Sequence, residues 1–113
     1  MKIYHNAQCN KSNATLELIQ QSGITPEVVE YLRDTPTKDE LKYLLIMLNL
    51  KPLQLIRTQE LLFQQNFINL TLSDEEWIDI MLQHPVLIER PIVVKDGKAI
   101  IARPVEKVLD FLR

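Results

Sequence analysis

The chain has 113 residues, of which 46% are hydrophobic and 25% are charged, a composition typical of one globular domain. Its net charge of −2 gives no general attraction to nucleic acids or to anionic membranes. The longest apolar stretch is residues 44–48, which is far shorter than the roughly 20 residues of a spanning helix. The N-terminus lacks a secretory signal. We therefore expect a cytoplasmic protein that binds neither nucleic acid nor membrane.

The first third of the chain predicts a βαβ unit. Residues 2–5 are short and β-favouring, and a polar loop follows them. A helical pattern begins at Ser12 and ends at Gly23, a residue that suits a helix C-terminus. Residues 28–32 then form a second apolar strand pattern, which should lie parallel to the first strand.

The middle of the chain is predicted to be helical. Thr37 and Glu40 have the spacing of a capping box, and an apolar helix face follows them. Further helices are predicted at 52–56, at 60–65 and after Ser73. In the last of these helices we interpret Trp77, Ile78 and Met81 as core residues.

The final segment predicts a β-hairpin and a helix. Residues 91–94 and 98–101 are apolar strand patterns separated by Asp96-Gly97, a strong hairpin signal. Pro104 suits the first turn of a closing helix. The inward-facing side chains of that helix are predicted to be Val105, Val108, Leu109 and Leu112.

This order of elements predicts a thioredoxin-like α/β fold. A βαβ half and a ββα half would surround a mixed four-stranded sheet. We expect one domain covering residues 1–113, with a helical insertion at about 37–85, and we expect a monomer.

Cys9, the only cysteine, lies in the polar loop before the first helix rather than among apolar residues. Helix N-termini favour anions, and thiol pKa values there fall below the usual value of about 8.5. The Ser12 hydroxyl could donate to the sulfur, and His5, as an imidazolium, or Lys11 could add positive charge. Alternatively, Cys9 is inert, Ser12 is only an N-cap, and His5 bonds to backbone.

Three arginines could form an oxyanion site. Arg57 lies between two helical segments, whereas Arg90 and Arg103 each precede a proline. Guanidinium groups that converge on the thiolate would lower its pKa and bind an oxyanion. The alternative is that all three are solvated on the surface.

One cysteine excludes an internal disulfide, and the sequence has no Cys/His spacing typical of a metal site.

The chain resembles the glutaredoxin-dependent arsenate reductases, including their shorter arsenate reductase-like members. The resemblance lies in three segments in the same order, IYHNAQCNKSNATLELIQQSG, MLQHPVLIERPIVV and ARPVEKVLDFL. It covers essentially the whole chain. One departure is Ala7, which replaces a proline of the family's active-site segment.

The resemblance implies a role for each candidate residue. Cys9 would be the nucleophile, and the side chains that support its thiolate would be His5, Asn6 and Ser12. The arsenate-binding residues would be Arg57, Arg90 and Arg103. The resemblance also implies a cis peptide bond at Arg90–Pro91.

The implied activity is the reduction of arsenate to arsenite. Without a second cysteine, glutathione would act as co-substrate and glutaredoxin would remove it from Cys9, with no bound cofactor or metal. One alternative is another glutathione-linked thiol oxidoreductase using the same site. A second is a non-enzymatic transcription adaptor, although such relatives have a C-x-x-C pair, and Ser12 occupies the second position here.

Overall fold

The computed structural model describes all residues, 1–113. It contains four strands and six α-helices. The strands are β1 (Lys2–His5), β2 (Glu27–Glu30), β3 (Ile92–Lys95) and β4 (Lys98–Ile101). The helices are α1 (Asn10–Gln21), α2 (Lys38–Leu48), α3 (Pro52–Leu55), α4 (Leu61–Asn66), α5 (Asp74–Gln83) and α6 (Lys107–Phe111), with a 3-10 helix at Pro85–Leu87.

The chain forms two compact units. The sheet unit comprises Met1–Asp34 and Arg90–Arg113, and the helical unit comprises Thr35–Glu89. The predicted insertion at about 37–85 falls within the helical unit. That the two units form a single domain stays a prediction.

The sheet unit confirms the predicted thioredoxin-like α/β architecture. Its strands have the order β2-β1-β3-β4. β1 is parallel to β2 and antiparallel to β3, which forms the predicted hairpin with β4. A parallel pair needs a crossover connection, and α1 supplies it.

The core of the sheet unit fixes the position of β1. Ile3 is paired with Val28 on one side and Val93 on the other. Its side chain is fully buried in a cluster that also contains Ile19, Val93, Ala102 and Val108. Because β1 is central and α1 is packed on this core through Ile19, the loop between them is held at both ends.

The helical unit confirms the capping signals read from the sequence. Thr37 and Ser73 each accept a hydrogen bond from the backbone N–H three residues later, and each is part of a complete capping box. Trp77, Ile78 and Met81 are all buried, as the core interpretation predicts. None of the helices in either unit combines the length and the apolar character needed to cross a membrane.

Two helix starts differ from the prediction. α1 begins at Asn10, not Ser12, because Cys9 adopts the extended backbone of an N-cap and its carbonyl accepts from the Asn13 N–H. The last helix begins at Lys107, because residues after Pro104 first form tight turns in which the Lys107 N–H donates to the Pro104 carbonyl.

The apolar face of the last helix is also corrected. Leu109 is 45% exposed, whereas Phe111 and Leu112 pack against the core with Val108. Leu109 directly follows the buried Val108 and so lies about 100° around the helix from it, whereas Phe111 and Leu112 are three and four residues on and share the face of Val108.

Candidate active site

The loop between β1 and α1 is shaped by Asn6. Its backbone carbonyl accepts a hydrogen bond from the Cys9 N–H at 2.9 Å. Its side-chain Oδ1 accepts from the Gln8 N–H, also at 2.9 Å, which is an Asx turn. Asn6 therefore supports the cysteine by holding a tight turn, because its side chain and its carbonyl both accept from backbone N–H groups of the loop.

Cys9 occupies the N-cap position of α1 and is partly buried. Its side chain forms no conventional cap hydrogen bond. The backbone N–H groups of Ser12 and Lys11 nevertheless act on the sulfur and favour its thiolate form. These groups are donors that the helix itself leaves without partners.

Two of the three predicted arginines act on the Cys9 sulfur. Arg103 Nη2 donates to Cys9 Sγ at 3.4 Å, and Arg103 Nε donates to the Arg90 backbone carbonyl at 2.6 Å. The Arg90 side chain, which is buried, also acts on the sulfur through a hydrogen bond. The guanidinium of Arg103 is thus oriented by one bond and directed at the thiol by another.

Both arginines precede cis prolines. The peptide bonds Arg90–Pro91 and Arg103–Pro104 are cis. The first confirms what the resemblance implies, and the second is not predicted from the sequence. Cis bonds occur almost only before proline.

These contacts lower the pKa of the Cys9 thiol. Burial works in the opposite direction and is the largest single influence, because it disfavours the charged form. The donors on Ser12, Arg90 and Lys11 and the positive charge of Arg103 together outweigh it. The candidate nucleophile is therefore more acidic than an ordinary cysteine.

His5 and Ser12 form a buried pair behind the loop. His5 Nδ1 and Ser12 Oγ are 2.6 Å apart, and the Asn6 N–H donates to the same hydroxyl oxygen at 3.1 Å. Burial lowers the pKa of His5, and the negative charge of Glu30 opposes that shift only in part.

The structure favours other arrangements for this pair than an imidazolium and a hydroxyl bonded to the sulfur. Burial lowers the pKa of His5 and so favours the uncharged ring over the imidazolium. The Ser12 hydroxyl bonds to His5 and the loop rather than to the sulfur, and Ser12 favours the thiolate through its backbone N–H.

Arg57 belongs to the helical unit and is bound by two carboxylates there. Its Nε donates to Glu60 at 3.0 Å and its Nη1 to Glu89 at 3.2 Å. Its backbone N–H donates to the Leu87 carbonyl. The carboxylates fix the guanidinium and offset its charge, and its role in binding an oxyanion stays a prediction.

Sequence reasoning missed three contributors to these arrangements. Glu60 and Glu89 bind Arg57, and only Glu60, three residues away, has a spacing that suggests such a pair. Asn13 donates from its side chain to the Ala7 carbonyl at 2.9 Å. No sequence pattern indicates that bond.

The structure contains no group of three or more His, Cys, Asp or Glu side chains that could hold a metal ion.

The lowered thiol pKa makes a direct prediction about alkylation. The iodoacetamide reaction rate follows the thiolate fraction, so its midpoint in pH should fall below about 8.5, the value for a free thiol. The control is the same protein unfolded in urea, in which the helix and both arginines no longer act on the sulfur. Equal midpoints for folded and unfolded protein would contradict an activated thiolate.

Comparison with known proteins places these residues in context. The ArsC family model matches residues 4–111. An arsenate reductase of Rhizobium meliloti is 42% identical, over 97% of this chain and 79% of its own length. The uncharacterized protein YfgD of Escherichia coli K12 is 43% identical, over 99% of this chain and 96% of its own length. A solved arsenate reductase from Vibrio cholerae superposes with a TM-score of 0.91 at 43% identity, covering 97% of each chain.

Proposed function

Because this chain belongs to the ArsC family of arsenate reductases, we propose that it reduces arsenate to arsenite with Cys9 as the nucleophile. Glutathione serves as co-substrate and glutaredoxin as the protein partner. The observation that carries the proposal is the 3.4 Å contact between Arg103 Nη2 and Cys9 Sγ at the N-terminus of α1. A cation beside an activated thiol suits a reaction between a thiolate and an oxyanion.

The first step joins the oxyanion to the protein. Arsenate binds to Arg103 and Arg90, whose charges offset the repulsion between the anion and the thiolate. The Cys9 thiolate attacks arsenic, an As–O bond breaks, and the departing oxygen takes up protons and leaves as water. Arsenic is still pentavalent in the resulting S–As adduct.

The second step transfers two electrons. The thiolate of glutathione attacks the Cys9 sulfur, and the S–As bond breaks with its electron pair remaining on arsenic. Arsenite is released, and Cys9 is left in a mixed disulfide with glutathione. A glutaredoxin thiolate then attacks the glutathione sulfur and returns Cys9 to its thiolate form.

The single cysteine supports the use of external thiols. Cys9 is the only cysteine in the sequence, so no second thiol of this chain can resolve the adduct. A reducing cytoplasm supplies both glutathione and glutaredoxin, and we place the reaction there. We propose that the protein acts as a monomer, since Cys9, Arg90 and Arg103 all lie in the sheet unit of one chain.

A second candidate is another glutathione-linked reaction at the same thiolate, such as removal of glutathione from protein thiols. The observation that favours it is the pairing of Arg57 with Glu60 and Glu89. Two carboxylates beside the third predicted cation reduce its capacity to attract an anion. A substrate without an oxyanion depends less on that third charge.

The test is a coupled assay that follows NADPH oxidation with arsenate, glutathione, glutathione reductase and glutaredoxin. We expect turnover that stops when either glutathione or glutaredoxin is omitted, because each carries out a step that Cys9 cannot. A glutathionylated peptide replaces arsenate in a parallel reaction. Turnover of the peptide without turnover of arsenate would overturn the proposal in favour of the second candidate.

A further inference from the structure

We propose that Asn13 is a positioning residue that locks the Cys9 loop onto α1. Its side-chain Nδ2 donates to the Ala7 carbonyl at 2.9 Å. Its backbone N–H donates to the Cys9 carbonyl at 3.0 Å. One residue of the helix thus binds the loop on both sides of Gln8. The catalytic consequences of this inference rest on the proposed function, but the structural claim does not.

The outer part of the loop has little else to hold it. Ala7 and Gln8 are exposed, so core packing does not fix them. The other hydrogen bonds of the turn are donated by the Gln8 and Cys9 N–H groups, and Asn6 accepts both of them. They shape the turn internally, whereas the Asn13 amide connects its exposed side to the first turn of α1.

The direction of the sulfur depends on this connection. Cys9 has an extended backbone, with φ −102° and ψ 119°, at the junction between loop and helix. A rotation of the loop about this junction would move Sγ away from the backbone N–H groups of Ser12 and Lys11 and from Arg103. Those are groups that favour the thiolate. Restricting the loop therefore preserves both the acidity and the orientation of the nucleophile.

The chain offers a matched control for Asn13. Asn10 is also exposed and lies in the first turn of the same helix, and its side chain does not make the bond to Ala7. Substituting alanine at either position removes an exposed amide of the same size near the N-terminus of the helix and changes no charge. A difference between Asn13→Ala and Asn10→Ala then reports on the loop contact rather than on helix stability.

The chain also offers a way to restore the restriction by other means. Ala7→Pro reduces the freedom of the loop backbone covalently. The Ala7 N–H makes none of the turn's hydrogen bonds, so its removal leaves them in place. The double variant Asn13→Ala/Ala7→Pro asks whether a rigid loop is sufficient in the absence of the Asn13 amide.

The experiment measures the Cys9 thiol pKa from the pH dependence of iodoacetamide alkylation, and kcat and KM for arsenate. For Asn13→Ala we expect the pKa to rise by about half a unit and kcat/KM to fall about threefold to tenfold, the scale of one lost hydrogen bond. Asn10→Ala should match the wild type. Adding Ala7→Pro should recover at least half of the pKa shift, and Ala7→Pro alone should leave the pKa unchanged.

Two outcomes would overturn the inference. One is a thiol pKa in Asn13→Ala equal to that in Asn10→Ala. The other is a shift that persists undiminished in the double variant while Ala7→Pro alone keeps the wild-type pKa. Because alkylation needs no arsenate, a wild-type protein that fails to reduce arsenate would overturn the proposed function and leave this test of Asn13 intact.

Discussion

Cys9→Ser is expected to lower arsenate turnover by on the order of 10³-fold or more, since the loss of a catalytic nucleophile costs several orders of magnitude in kcat. The reason is chemical, since a serine hydroxyl at neutral pH is a far weaker nucleophile than a thiolate. It also cannot form the disulfide with glutathione that the second step requires. The measurement is the coupled NADPH assay, run beside wild type at equal protein concentration.

The fold of Cys9→Ser should be preserved. Cys9 is only partly buried and its sulfur is not part of the apolar core, so thermal unfolding should occur within a few degrees of wild type. Gln8→Ala, a change at the exposed neighbouring residue, is the control and should retain activity. If Cys9→Ser kept most of the wild-type turnover, the assignment of Cys9 as nucleophile would be wrong.

Arg103→Ala is expected to lower kcat/KM for arsenate about tenfold or more. The variant loses a charge-assisted donor, which is worth about 1.5–3 kcal/mol, from both the bound anion and the thiolate. The pKa of Cys9 should rise as well, because the positive charge of Arg103 favours the ionised sulfur. Steady-state kinetics and the alkylation profile measure the two effects separately.

Arg103 is a better test than Arg90, because Arg90 is buried and its truncation would also disturb packing. Arg103→Lys keeps the charge but lacks the planar fork that binds Cys9 Sγ and the Arg90 carbonyl together, so we expect only partial recovery. Arg113→Ala, at an exposed arginine, is the control. Unchanged kinetics in Arg103→Ala would remove this residue from the oxyanion site.

The local sequence determined most of the secondary structure. The capping boxes at Thr37 and Ser73 and the hairpin signal at Asp96-Gly97 depend on backbone geometry within a few residues, and all three are present. The parallel pairing of β1 with β2 follows from the helix between them. The fold class was therefore predictable from the order of elements.

Helix starts were less predictable, because several residues in a polar loop compete for the N-cap. Serine is a favoured N-cap residue, but the Ser12 hydroxyl is bound by His5 and by the Asn6 N–H. Cys9 occupies the N-cap position instead. That choice depends on what is buried behind the loop. It cannot be read from the loop alone.

The sequence by itself determined which residue is the nucleophile candidate, since only one cysteine exists and it precedes a helix. The tertiary structure decided the electrostatics around it. Arg103 is 94 residues from Cys9 in sequence yet contacts its sulfur, and burial beneath the loop lowers the pKa of His5. Charge, distance and desolvation depend on positions in space, and those positions are set by the packing of elements that lie far apart along the chain.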